Sequence, residues 1–274
     1  GEHLIKMLTE FSMNNIEDIF TYTYGRFNGF IVALTKVVID LEENNELLLY
    51  NPNYLDPICN NLREINSDAE KYGWSFVFYK LVSDKTKKNI SESVSNAPWW
   101  LKVDLANWKN PYGPDSNITD IENHPVVHVS WNDALAYANW IGKDIPTEAE
   151  WECAAKGGLE TTLFSWGNEK IDISKKCNIW DGEFPETNTL IDGWLGTSPV
   201  DYFKPNNFDI YDTSGNVWEW TSDWFSSSFH TIDRKETRYD PKGPNYGTSK
   251  TMKGGSYLCN DSYCNRYRVA ARTQ

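Results

Sequence analysis

The chain has 274 residues, room for one large domain or two small ones, and 40% of them are apolar, enough for a sizeable core. Its 26 basic against 39 acidic residues sum to −13, which argues against general nucleic-acid binding or a polybasic membrane-surface role, since both need a basic excess. Aromatics are dense, with 13 Trp, 15 Tyr and 12 Phe, while five Cys are too few for a disulfide scaffold and leave at least one outside any intrachain pair.

Residues 1–65 carry apolar runs at 16–20, 27–39 and 47–50 but no Trp, and the first Trp is Trp74. The stretch 30–41 is broken by Lys36 and Asp40, so it reads as a buried strand or helix. No segment approaches the ~20 uninterrupted apolar residues of a membrane span. The opening Gly1-Glu2-His3-Leu4 shows no signal-peptide pattern, and Asn89-Ile90-Ser91 and Asn117-Ile118-Thr119 have the form of glycosylation acceptors.

His124 to Val129 alternates, with Pro125 beside Val126, Val127 and Val129, and predicts a strand. Residues four apart on a strand lie ~13 Å apart, which makes His124 and His128 ordinary histidines and not joint ligands. Ser130-Trp131-Asn132-Asp133 is a capping-box start for a helix carrying Ala134, Leu135, Ala138 and Ile141, with Gly142 as its stop. Thr147 caps a second short helix, with Glu150 three positions on and Gly157-Gly158 as terminator. From Leu159 onward Gly, Pro, Asn and Asp interrupt every few residues, and strand signals remain only at 200–202, 217–220 and 252–258. Bulky aromatics and bound cations are the expected means of holding such loops.

Two constellations carry chemistry. Cys259 and Cys264 form a C-x4-C pair after Gly254-Gly255-Ser256-Tyr257, with Arg266, Arg268 and Arg272 close behind. Such a pair either closes a disulfide or holds a soft ion such as Cu(I), and spacing favours neither. Zinc is disfavoured because no second Cys/His pair stands at finger-like spacing. The run Asp212-Thr213-Ser214-Gly215-Asn216-Val217-Trp218-Glu219-Trp220 reads first as a tight turn feeding a core strand. Its mixed carboxylate and carbonyl oxygens also suit Ca²⁺. Asn178-Ile179 with Asp192-Gly193-Trp194 is a second candidate oxygen site.

Seven blocks, in order, resemble the formylglycine-generating enzyme family, also called sulfatase-modifying factor. They are Ala69-Glu70-Lys71-Tyr72-Gly73, Ala97-Pro98-Trp99-Trp100, the segment from His124 to Asp133, and Pro146-Thr147-Glu148-Ala149-Glu150-Trp151-Glu152. Asn178-Ile179-Trp180-Asp181-Gly182, Gly215-Asn216-Val217-Trp218-Glu219-Trp220 and Lys253-Gly254-Gly255-Ser256-Tyr257 follow, the last leading into the cysteine pair. The intact pair resembles the catalytic branch.

The resemblance implies an α+β formylglycine-generating-enzyme fold over 66–274, a variant of the C-type lectin-like fold with little regular secondary structure, after an unmatched segment 1–65. It implies oxidation by dioxygen of a cysteine in the Cys-x-Pro-x-Arg motif of unfolded sulfatases to Cα-formylglycine, by way of a thioaldehyde that water hydrolyses. Cys259 and Cys264 would hold copper as Cu(I), and Ser256, Tyr263, Trp218 and Arg272 would orient substrate and oxygen. Calcium would fall to Asn178, Ile179, Asp192 and Trp194 at one site and to Asp212, Gly215, Val217 and Glu219 at the other. The endoplasmic reticulum lumen and a monomer or weak dimer complete the expectation.

This sequence departs from the family in its opening, in stopping at Gln274 before the family's closing Asn-rich loop, and in Asn260, often His in relatives. A C-terminally truncated domain is therefore expected. Ala138, Ala155 and Val269 stand where vertebrate-type members place structural cysteines. The competing reading is a non-catalytic lectin-like binding module with Cys259–Cys264 as a plain disulfide. An iron-dependent sulfoxide synthase would need a His-x3-His-x-Glu motif, and none is present.

Overall fold

The computed structural model describes residues 66–231 and 235–274. The apolar runs at 16–20, 27–39 and 47–50, the stretch 30–41, and Cys59 lie outside the described residues.

Ser67 opens α1 (Asp68–Tyr72) with a capping box: its hydroxyl accepts the Glu70 N–H while the Glu70 carboxylate accepts the Ser67 N–H. Gly73, at φ +78°, ends the helix and turns the chain into β1 (Trp74–Phe78). α2 (Asp84–Lys87), capped by Ser83, leads to β2 (Ser93–Val94) and β3 (Ala97–Asp104). All pairings are antiparallel in the order β1-β3-β2, with Trp74 opposite Asp104 and Phe78 opposite Trp100. Successive strand residues face opposite sides, so β1 serves two cores. Val77 packs with Val82, Val103 and Ala106, while Phe78 packs with Trp180 and Leu258.

The two cap-announced helices form as expected, α3 over Trp131–Trp140 and α4 over Glu148–Lys156, each with a complete capping box. Asp133 of α3 also accepts the Asp68 N–H, and Ser130 donates to Asp68, which ties the starts of α1 and α3 together. β4 (Glu219–Trp224) pairs antiparallel with β5 (Lys250–Lys253), Glu219 opposite Lys253. A four-residue α5 (Lys235–Arg238) lies between them in sequence.

Three strand expectations need correction. The segment 200–202 is a turn, and of 252–258 only the first two residues enter β5. The alternating 124–129 segment joins no ladder. His128 sits at φ +60° and bends the chain, held by Ser75 Oγ at 2.8 Å and the Pro111 carbonyl at 2.7 Å, one on each ring nitrogen. Loops are indeed held by rings: Phe164 stacks between Trp166 and Tyr267 at 4.7 and 5.9 Å, and Phe184 stacks on Tyr263 at 4.0 Å.

Candidate catalytic pair and cation sites

β5 runs into Gly254 and Gly255, at φ +87° and +76°, and these two residues aim the following loop. A Cβ on Gly255 would lie 2.8 Å from the Tyr267 nitrogen, so only glycine lets the two backbones meet. The chain then turns through Ser256, whose carbonyl accepts the Cys259 N–H, and Cys259 in turn accepts from the Trp180 N–H at 3.0 Å. Cys259 and Cys264 are joined as a disulfide, with Cα atoms 4.6 Å apart. Cys259 is buried and Cys264 half-buried at the rim.

Asn260 organises the loop between them. Its Oδ1 accepts from the Tyr263 N–H and the Ser262 hydroxyl, its Nδ2 donates to the Gly182 carbonyl, and its own carbonyl accepts from Cys264 and Asn265. The sequence marked Asn260 only as an oddity; its position next to Cys259, with an amide able to donate and accept, was the available signal.

Tyr263 is 44% exposed beside the disulfide, edge-on to Trp99 and stacked on Phe184. Trp218 packs against the cluster of Phe164, Cys177, Ile179, Cys259 and Tyr267. Ser256 and Trp218 also line an apolar cavity of about 250 Å³. These residues therefore gather around the cysteine pair. Arg272 is committed elsewhere: it donates to the Ser226 carbonyl and to Glu148, and its guanidinium lies over Phe225.

The first oxygen constellation is assembled. Asp192, 4% exposed, accepts the N–H groups of Ile179 and Trp194 on its two oxygens. Asn178, 1% exposed, donates to the Gly196 carbonyl and leaves its Oδ1 buried without a partner. Burial raises the Asp192 pKa against the two N–H bonds from Trp194 and Ile179 that favour its ionised form, and the charge of Asp181 adds to the rise.

The second is more demanding. Asp212 Oδ2 is buried and unpartnered, and burial together with Glu219 and Asp201 pushes its carboxyl up to about 8. Glu219 is pushed by burial to about 7, although Trp151 Nε1 donates to it at 2.6 Å. Two buried carboxyls that repel one another are what a divalent cation relieves. Gly215 joins the two constellations: a Cβ there would lie 2.2 Å from the Asn178 carbonyl, which accepts the Asn216 N–H at 2.8 Å. The orphaned oxygens of Asn178 and Asp212 fit hard-cation ligands, and the sulfur pair fits a soft one.

A family model described as the sulfatase-modifying factor enzyme 1-like domain matches residues 18–274. The chain belongs to this family. It is 56% identical over 208 residues to the formylglycine-generating enzyme of Thermomonospora curvata, covering 76% of this chain and 68% of that protein. The Mus musculus formylglycine-generating enzyme is 53% identical over 209 residues, 76% of this chain and 55% of its own length. The inactive C-alpha-formylglycine-generating enzyme 2 of Bos taurus is 45% identical over 167 residues, with 61% and 55% covered. The chain thus spans from just over half to about two thirds of the length of these relatives.

Among the described residues, a few short helices and two small sheets make an α+β fold with little regular secondary structure. Ala155 and Val269, both 0% exposed, pack together with Trp151.

Proposed function

We propose that the protein is a formylglycine-generating oxidoreductase that activates sulfatases, converting a cysteine in a Cys-x-Pro-x-Arg segment of the unfolded substrate to Cα-formylglycine. The observation that carries this reading is the pair Cys259 and Cys264, held at the rim of an aromatic-walled site with Ser256, Trp218 and Tyr263 around it. The net change replaces the substrate's CH₂–SH by an aldehyde: dioxygen and two electrons with two protons from a thiol reductant give the aldehyde, hydrogen sulfide and water.

The disulfide takes up two electrons before both sulfurs become thiolate donors. Cu(I) held by them would supply the redox chemistry with oxygen that side chains lack. Cys259 and Cys264 bind the ion, and Asn260 fixes the loop that spaces them. Tyr263, exposed, with the half-buried Phe184 and Trp99 offers an aromatic wall for an extended peptide, and Ser256 lies beside it. Arg272, tied to Glu148, acts on the site only through the loop it anchors. Ca²⁺ at Asn178, Ile179, Asp192 and Trp194 and at Asp212, Gly215, Val217 and Glu219 holds the loops under the pair. On family resemblance the reading includes the endoplasmic reticulum lumen as compartment.

A second reading, a non-catalytic binding module, is favoured by the joined state of Cys259 and Cys264. One experiment decides between them. Reduced protein is titrated with Cu(I), then given a Cys-x-Pro-x-Arg peptide with oxygen and a thiol reductant, and the peptide mass is followed. The enzyme reading expects one Cu(I) bound per chain and conversion of the peptide, both lost in Cys259→Ser and Cys264→Ser. Absence of both in the wild-type chain leaves the binding module.

A further inference from the structure

A second group of metal-type donors stands on different elements. Glu148 opens α4, Asp223 lies near the end of β4, and His230 lies in the short 3₁₀ turn Phe229–Thr231. One ligand atom from each falls within 4.8 Å of the others. Their sequence separations, 75 residues from Glu148 to Asp223 and seven more to His230, hide the group from any motif search.

Acidic groups cluster for many reasons, but Asp223 is specific. It is 1% exposed, its Oδ2 accepts the Glu148 N–H at 2.8 Å, and its Oδ1 is buried without a hydrogen-bond partner. A Cβ on Gly243 would come within 2.6 Å of that oxygen, so glycine leaves the space beside it clear. A buried carboxylate oxygen with no donor is a costly feature unless something electropositive completes it.

We propose that Glu148, Asp223 and His230 bind a divalent transition-metal ion of the Zn²⁺ class. One imidazole nitrogen with two carboxylates suits a borderline ion, whereas Ca²⁺ and Mg²⁺ prefer oxygen alone. His230 Nε2 lies 3.6 Å from Glu148 Oε2, close to the edge of a tetrahedron with metal–ligand bonds of about 2.1 Å. Water would take the fourth position.

Two cations already touch Glu148, and each has a second partner. Arg272 also donates to the Ser226 carbonyl at 2.6 Å, and Lys253, 3.6 Å from Glu148, donates to Glu152 at 2.6 Å. Both stay satisfied when the metal draws on Glu148, and Arg272 then becomes an outer partner that orients the ligating carboxylate. Lys250, near Asp223, is held over the Trp131 and Trp224 rings at 4.2 and 3.9 Å.

The test uses the full chain, saturated with Ca²⁺, with its disulfide kept oxidised and its accessible thiols, Cys153 among them, alkylated, so that neither exposed sulfur nor the oxygen sites compete. Co²⁺ followed by its visible absorption, and Zn²⁺ followed by calorimetry, should each show one saturable site. His230→Ala leaves the buried carboxylates in place and should weaken that site by at least the roughly 10–100-fold that loss of an outer partner costs. Asp223→Asn retains an acceptor for the Glu148 N–H and should weaken it as well, with folding checked by melting temperature. Failure of the wild-type chain to bind either ion, or equal affinity in His230→Ala, overturns the proposal.

Discussion

His128 shows how one side chain can govern a molecule-wide property. Its ring is half-buried, with a partner on each nitrogen, and desolvation lowers its pKa against the opposing effect of the Pro111 carbonyl bond. His124, bonded to Thr197, is lowered by burial in the same way. In the unfolded chain an imidazole takes its proton near pH 6.5, as does any unperturbed His, at about that value. Between there and the lower folded pKa, the unfolded state binds more protons, so stability falls as pH falls. With saturating Ca²⁺, which keeps the raised carboxyls of Asp212 and Glu219 ionised and so removes their opposing contribution, the melting temperature should therefore drop from pH 7 to pH 5. His128→Asn tolerates the left-handed backbone and should make that slope shallower, while lowering stability at pH 7 by about 1–3 kcal/mol for the orphaned partners. A slope equal to that of the wild type would assign the acid loss to other groups.

At the scale of elements, what was legible in the sequence is what is local. α3 and α4 announce themselves because a cap, its reciprocal acid and a terminating glycine lie within a dozen residues, and each makes the bonds expected of it. Thr147→Ala at the start of α4 should cost about 1 kcal/mol, read by calorimetry as a fall of roughly 2–4 °C in melting temperature, while Thr147→Ser should change little. A fall no larger than that of Thr147→Ser would mean the helix is held by Trp151 and Ala155 alone.

Strands were less legible because their partners lie far along the chain. β3 begins with Ala97-Pro98 and shows no clean alternation, yet it is the centre of its sheet, Pro98 standing before the β1 ladder starts at Trp100. The 124–129 segment alternates well and pairs with nothing, since alternation reports faces and not neighbours. The candidate site divides likewise. Residues near the cysteine pair along the chain were visible, whereas the Trp151 donor to Glu219, 68 residues away, and the Glu148 partner of Arg272, 124 residues away, needed the fold.

For the molecule as a whole, the open question is what holds the long passage from α4 to β4, whose described residues contain one short 3₁₀ turn and a lone bridge as their only regular structure. Ring stacking supplies part of it, but the buried oxygens of Asn178 and Asp212 without donors point to cations as the rest. Such ions bind only the folded chain, so adding Ca²⁺ after chelation should raise the melting temperature by mass action, about 2.7 kcal/mol for each site at a hundredfold excess over its dissociation constant. Asp192→Asn and Asp212→Asn should each remove one site's share. The two sites meet where Gly215 closes on the Asn178 carbonyl, so an ion in one fixes a backbone that the other needs. Contacting sites rarely add, and the double variant should lose a share different from the sum of the singles by about 0.5 kcal/mol or more. Strict additivity would make the two sites independent. An unchanged melting temperature in chelator would remove both calcium assignments while leaving Cys259 and Cys264 untouched.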